Sequence, residues 1–255
     1  GQNATGGFRR RATFVAQERA MAEHLLLLDT GDALAGGGLG NLTEGEAIVA
    51  GMGLMGYDAM ALGPKELALG LDTLKRRMTE ATFPILSANA VLEPGGELLA
   101  RPYHVVDVSM HRIAIVGLTR PLDQPVEGIR VIDAQEALSG LMAEVAAGAD
   151  LVILLTNLAV DQAQALAGEV PGIDLVVAAL PPHSPTGALR LPGTGTIVVT
   201  AEYPMPGHTG RQIGRLAVTV QDDGSLAGET WAAVPLNLFL DDDPEMAALL
   251  QRYWP

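Results

Sequence analysis

Leu25-Leu26-Leu27-Leu28-Asp29-Thr30-Gly31-Asp32 is the stretch that decides the fold. An apolar strand that runs directly into a Gly-Asp turn is where an α/β sheet presents a carboxylate at a strand end. Asp32 is therefore the first candidate site residue.

Working outward, apolar and β-branched runs alternate with helical patterns along the whole chain. Strands are predicted near 25–29, 58–62, 84–88, 103–108, 111–118, 151–156, 174–180, 196–202 and 215–221, and helices near 44–55, 66–80, 133–147, 159–168 and 243–252. Such alternation implies parallel pairing, while the adjacent runs Tyr103–Val108 and His111–Leu118 predict an antiparallel pair. Leu151–Leu155 and Leu175–Val177 are continuous apolar runs, as strands covered on both faces require. Functional groups are then expected in the loops at strand ends, here 30–43, 63–66, 156–161 and 180–195.

No internal repeat or long linker interrupts the pattern. The breaker-rich segments Glu93–Gly96 and Pro181–Gly187 are read as loops between strands, so residues 1–255 are expected to form one domain. At the C-terminal end, Asp241-Asp242-Asp243-Pro244-Glu245 reads as an acidic helix start with proline at the first helical position, after a last strand near Pro235–Asn237. The acidic run is a capping signal before it is a metal site.

A chain of 255 residues with 48% hydrophobic and 18% charged residues is long and apolar enough to bury a large core. Thirty acidic residues against sixteen basic ones give a formal charge of -14, which opposes attraction to nucleic-acid backbones and anionic lipid. Nucleic-acid binding is set aside on that ground. The absence of cysteine excludes a disulfide framework and a thiolate zinc site. No apolar run approaches the roughly 18 residues of a membrane span, so membrane insertion is not expected. Gly1–Gly7 does not read as a signal peptide, and the chain reads as a processed or trimmed form. Asn3-Ala4-Thr5 and Asn41-Leu42-Thr43 match the glycosylation sequon, a pattern short enough to recur by chance.

Six segments, in order, carry a resemblance: Gly6–Thr13, Leu28–Asp32, Glu44–Ala47, Met52–Gly63, Pro84–Asn89 and Gly210–Leu216. Together they resemble the N-terminal metallophosphoesterase (calcineurin-like) domain of the 5'-nucleotidase family. The resemblance implies a four-layer α-β-β-α sandwich of two mixed sheets, with two metals above the strand ends and hydrolysis of phosphate esters, often nucleotides. It also implies an extracytoplasmic location, periplasmic or secreted, as for many relatives. Relatives often carry a second, nucleoside-binding domain; none is expected within residues 1–255, and their few aromatic residues give no support for nucleoside specificity.

Two-metal hydrolysis needs cations about 3.5–4 Å apart, a bridging carboxylate and enough His, Asn and Asp ligands to hold both. Aliphatic side chains cannot substitute for imidazole or carboxylate at zinc, manganese or iron. Compared with the family motifs, the chain starts too late for the opening Asp-x-His or lacks it, and Gly31-Asp32 keeps its carboxylate. Gly-Asn-His-Glu is replaced by Gly63-Pro64-Lys65-Glu66. Thr156-Asn157-Leu158 stands where a histidine ends a strand, and Ala179-Leu180-Pro181-Pro182 stands in place of Gly-His-x-His, with His183 one position past register. Asp32 is the one ligand kept in type, with Asn157 and His183 as weak donors. No cofactor is expected, or at most a weakly bound divalent metal (Zn, Mn or Fe).

Lys65, Arg9 and Arg10 are the candidate phosphate contacts, against the alternatives of a solvated helix-start lysine and surface ion pairs. Gly36–Asn41 is read as a flexible connector, with an anion cradle as its alternative. Gly51-x-Gly53-x-x-Gly56 follows a helical stretch instead of a strand, so it is read as helix termination and close packing, and its methionines as core filler. The five histidines give no spacing for a catalytic triad, although His104 and His111 are placed to pair across their hairpin.

The leading expectation is thus a degenerate metallophosphoesterase-like domain that serves as a binding or structural subunit, with a protein partner or self-association. Its rivals are a phosphoester hydrolase with an altered site and a phosphate- or nucleotide-binding module without turnover.

Overall fold

The computed structural model describes residues 6–179, 187–200, 210–221 and 224–253. Helix α1 (Phe8–Met21) leads into β1 (Leu28–Asp29), a short α2 (Gly38–Leu42) and α3 (Glu46–Met55). Then come β2 (Ala59–Ala61), α4 (Pro64–Leu67), α5 (Leu71–Glu80), β3 (Ile85–Leu86) and β4 (Ala90–Leu92). The hairpin β5 (Tyr103–Val108) and β6 (His111–Leu118) precedes β7 (Ile129–Val131), α6 (Ala134–Gly148), β8 (Leu151–Ala159), α7 (Val160–Glu169) and β9 (Leu175–Ala179). The rest is β10 (Leu189–Arg190), β11 (Ile197–Thr200), the hairpin β12 (Gln212–Val220) and β13 (Leu226–Pro235), and α8 (Pro244–Gln251).

The strands sort into two main sheets. One is parallel, in the order β1-β2-β3; the other is mixed, in the order β10-β11-β9-β8-β6-β5, with antiparallel pairs at both edges. Side chains alternate along a strand, and here both faces of the six-stranded sheet are buried. Ala114, Val116, Val152, Leu154, Val176 and Val198 pack under α6 and α7. The intervening residues point the other way: Ile113, Ile153 and Ile197 meet the β12–β13 hairpin, and Ile115 and Leu155 meet Ala59, Ala61 and Leu86 of the parallel sheet. Met60 and Ile85 face outward from that sheet onto α1, α3, α5 and α8. These are the four layers of an α-β-β-α sandwich. The two sheets approach closely at Gly117, where a Cβ would overlap the Cβ and carbonyl of Leu86.

Several local expectations change. The helix expected over 66–80 is split into α4 and α5 at Gly70, whose φ of 82° breaks the run. The flexible connector expected at Gly36–Asn41 instead contains α2, whose fold-back includes a Gly36 N–H bond to Asn41 Oδ1. Helix α1, β4, β7 and β13 have no counterpart among the expected elements. Helix α1 buries only Ala12 and Val15, so it has little apolar stripe to read. Strand β13 alternates mostly through alanine, glycine and threonine; it ends at Pro235, and Leu236 and Asn237, expected as the last strand, lie outside any strand. His104 and His111 do not pair: they face Ile115 and Val108 across the hairpin.

The glycine and methionine reading of α3 holds, with Met52 and Met55 buried and Gly56 capping the helix. The capping signal at Asp243-Pro244 also holds, since the Asp243 carboxylate accepts from Met246 N at 2.7 Å.

Candidate functional site

The strand ends of both sheets meet around Asp32. Strand β1 ends at Asp29, and Gly31 turns the chain with φ 91°, followed by Asp32 at φ 61°. A Cβ at Gly31 would lie 2.5 Å from Ala61 O and 2.9 Å from Asn157 Nδ2, so only glycine lets the turn pass under its neighbours. Gly31 N–H donates to Asp29 Oδ1 at 2.9 Å. Burial pushes the Asp29 carboxyl up, opposed by the charge of Arg11, whose guanidinium donates to Tyr57 Oη at 3.0 Å.

Glu66 holds this turn in place from the next loop. Its side chain is fully buried and accepts three backbone N–H groups: Asp32 at 2.8 Å and Gly63 at 2.9 Å on Oε2, and Leu34 at 2.8 Å on Oε1. Burial outweighs these bonds, and the nearby charges of Asp32 and Asp29 add to it, so the carboxyl is pushed up to about 7. Pro64 opens α4, and Lys65 N–H donates to Asp32 Oδ1 at 2.8 Å.

From the six-stranded sheet comes Asn157, buried near the end of β8. Its Oδ1 accepts from Arg120 N at 2.7 Å and its Nδ2 donates to Leu62 O at 3.0 Å. Thr119 Oγ1 donates to the same Leu62 carbonyl at 2.7 Å and lies 2.7 Å from Ser87 Oγ. Asn89 completes the network: its Oδ1 accepts from Thr119 N at 2.8 Å, and its Nδ2 donates to Thr119 O at 2.8 Å and Ile132 O at 3.1 Å. Ser87, Asn89, Thr119 and Asn157 thus pin the ends of β2, β3, β6 and β8 to one another.

The structure therefore brings together Asp32, Lys65 and Asn157. It places Arg9 and Arg10 elsewhere, in ion pairs with Asp242 at 3.4 and 3.7 Å that tie the start of α1 to the approach to α8. His183 lies outside the described residues, as do Leu180, Pro181 and Pro182. The sequence alone gives no role to Glu66, Thr119, Arg120 or Asn89. The usable signal is position: Ser87-Ala88-Asn89 and Thr119-Arg120 follow strands directly, as Thr156-Asn157 closes one. Among the described residues, no group of three or more His, Asp or Glu side chains is placed to hold a metal ion. No helix among them is long and apolar enough to cross a membrane.

This arrangement of two stacked sheets, with polar loops gathered at their strand ends, matches the fold of 5'-nucleotidases and calcineurin-like phosphoesterases. A calcineurin-like phosphoesterase from Bacillus subtilis superposes with a TM-score of 0.78 at 22% identity, over 98% of this chain and 89% of that one. A 5'-nucleotidase precursor from Thermus thermophilus superposes with a TM-score of 0.86 at 27% identity, over 98% of this chain and 53% of that one. In sequence, a snake venom 5'-nucleotidase from Crotalus adamanteus is 30% identical over 99% of this chain and 46% of its own length. No protein-family model matches. The chain belongs to the 5'-nucleotidase family. It spans about half the length of the curated relatives it matches along nearly all of its own.

Proposed function

We propose that this chain is a non-hydrolytic 5'-nucleotidase-like domain, one that keeps the phosphoesterase scaffold without its dinuclear centre and serves as a binding or structural subunit. The observation that carries this reading is how the polar atoms at the strand ends are used. Asp32 Oδ1 and both polar atoms of Asn157 are engaged by backbone groups at 2.7–3.0 Å, and Glu66 is spent on three amides. Pro64 offers no donor atom, and Lys65 adds a cation where a metal would need an electron pair. The described donor set does not fit two divalent ions. A single ion would find only the Asp32 carboxylate and an Asn157 amide oxygen already engaged by Arg120 N, too few ligands to hold it tightly.

The rival reading, metal-dependent hydrolysis of phosphate esters, rests on the relatives named 5'-nucleotidase and on Asp32. Elemental analysis of the purified protein together with a phosphate-ester hydrolysis assay decides between the two. We expect zinc, manganese and iron far below one ion per chain and no turnover above buffer. Stoichiometric metal, with hydrolysis lost on Asp32→Ala, overturns the proposal.

We also propose an extracytoplasmic location, following the family, and a protein partner or self-association. Fractionation of the native host tests the first. Light scattering on the purified protein and recovery of a stoichiometric partner from that host test the second.

A further inference from the structure

Helix α1 docks with few apolar contacts and many charged ones. Its buried apolar residues are Ala12 and Val15, with Phe8 partly buried beside them. Its polar side chains reach three separate places. Arg9 and Arg10 pair with Asp242 at 3.4 and 3.7 Å, and Thr13 Oγ1 donates to Asp241 O at 2.7 Å. Glu18 pairs with Arg215 of β12 at 2.6 Å. Arg19 pairs with Asp58 at 3.7 Å and donates to Gly56 O, while Arg11 donates to Tyr57 Oη at 3.0 Å.

Two of these arginines act on β1, one at each end. The Asp58 oxygen that meets Arg19 also accepts Leu27 N–H at 2.7 Å, just before the strand begins. At the other end, the charge of Arg11 opposes the effect of burial on Asp29, whose Oδ1 accepts the Gly31 N–H of the turn into Asp32 at 2.9 Å. Strand β1 is two residues long and, among the described residues, pairs with β2 alone at the edge of its sheet. So short an edge strand has little order of its own, and the groups that grip its ends govern it.

We propose that α1 is a charge-held strap whose docking is coupled, through Arg11 and Arg19, to the order of the Asp29–Asp32 turn. Docked, the helix fixes β1 from both ends. Undocked, it takes the Arg11 charge away from Asp29 and Arg19 away from Asp58, and the turn that carries Asp32 loosens with it. Ionic strength is the input, because the reach of an exposed charge falls from about 10 Å at 0.1 M salt to about 3 Å at 1 M. The coupling is separate from the question of turnover.

Hydrogen exchange of the full chain, read by mass spectrometry at 0.05 and 1 M sodium chloride, tests it. Peptides covering α1 and residues 28–34 are expected to exchange together, about tenfold faster or more at high salt, the combined scale of several screened pairs. Strands β6, β8 and β9 are expected to exchange no faster, because screening relieves the self-repulsion of a chain with a formal charge of -14. That contrast separates release of the strap from general loosening. Arg215→Gln, which cuts the Glu18 pair from an exposed position on β12, is expected to speed both peptides about two- to fivefold at low salt. Arg11→Met is expected to loosen the turn further, and Arg11→Lys, which keeps the charge, to recover most of the loss. Salt-independent exchange of α1 overturns the strap. Exchange that quickens in α1 but not in residues 28–34, under salt or in Arg215→Gln, overturns the coupling. Equal loosening in Arg11→Met and Arg11→Lys overturns the part given to the Arg11 charge. If Arg11→Met does not fold, the salt and Arg215→Gln measurements decide alone.

Discussion

Glu66 shows what a single buried carboxyl does to a strand-end loop. It joins Asp32, Leu34 and Gly63 by accepting their N–H groups, so the Asp32 turn is anchored to the start of α4. Its folded pKa of about 7 lies above the ordinary glutamate value of 4.5, so the folded state binds a proton that the unfolded chain has released between those values. Stability from this group is therefore fully present below pH 4.5 and is lost as pH rises toward 7, by as much as roughly 3 kcal/mol. Urea denaturation at pH 5 and pH 8 should show wild type losing more stability than Glu66→Gln over that interval. An equal pH dependence in the two proteins would contradict the assignment. In the sequence, Glu66 is one acidic residue at a helix start, and nothing there points to its partners. Two of its partners lie 32 and 34 positions away, and only the tertiary fold brings them to it. Asn157 is legible as a strand-end residue, but its partners are not, because Arg120 and Leu62 are 37 and 95 positions distant.

At the scale of elements, legibility follows burial on both faces. Strands β6, β8 and β9 are readable because each is a continuous apolar run facing helices on one side and the second sheet on the other. Helix α1 is not, since its contacts include polar ones such as Thr13 Oγ1 to Asp241 O at 2.7 Å, which no periodicity records. Helix α8 is readable from its cap alone. The Asp243 side chain satisfies the Met246 amide, an otherwise orphaned donor of the first turn, and Pro244 presets the backbone next to it. Asp243→Ala is expected to cost about 1 kcal/mol. In a chain of this size that lowers the melting temperature by about 2–4 °C. Asp243→Asn keeps the acceptor and should recover most of the loss in the same calorimetric experiment. Failure of asparagine to recover it would assign the effect to charge instead of capping.

For the whole molecule, the decisive quantity is the distance between the two sheets. The candidate site lies where their strand ends converge, so the hydrogen bonds from Asn157 and Thr119 of one sheet to Leu62 beside the other depend on that spacing. Gly117 sets it from within β6, because any Cβ there meets both the Cβ and the carbonyl of Leu86, atoms that every non-glycine residue at position 86 retains. Gly117→Ala is therefore expected to force the sheets apart and destabilise the protein by about 1–3 kcal/mol, the range for overpacked cores. The same substitution at Gly140 has the opposite expected sign. Gly140 lies within α6 with open space around its Cβ position, so alanine there raises helix propensity and stabilises by about 0.5–1 kcal/mol. Urea denaturation of the two variants beside wild type measures both effects with one chemical change. If Gly117→Ala were as stable as wild type, the sheet spacing would not be set at this contact.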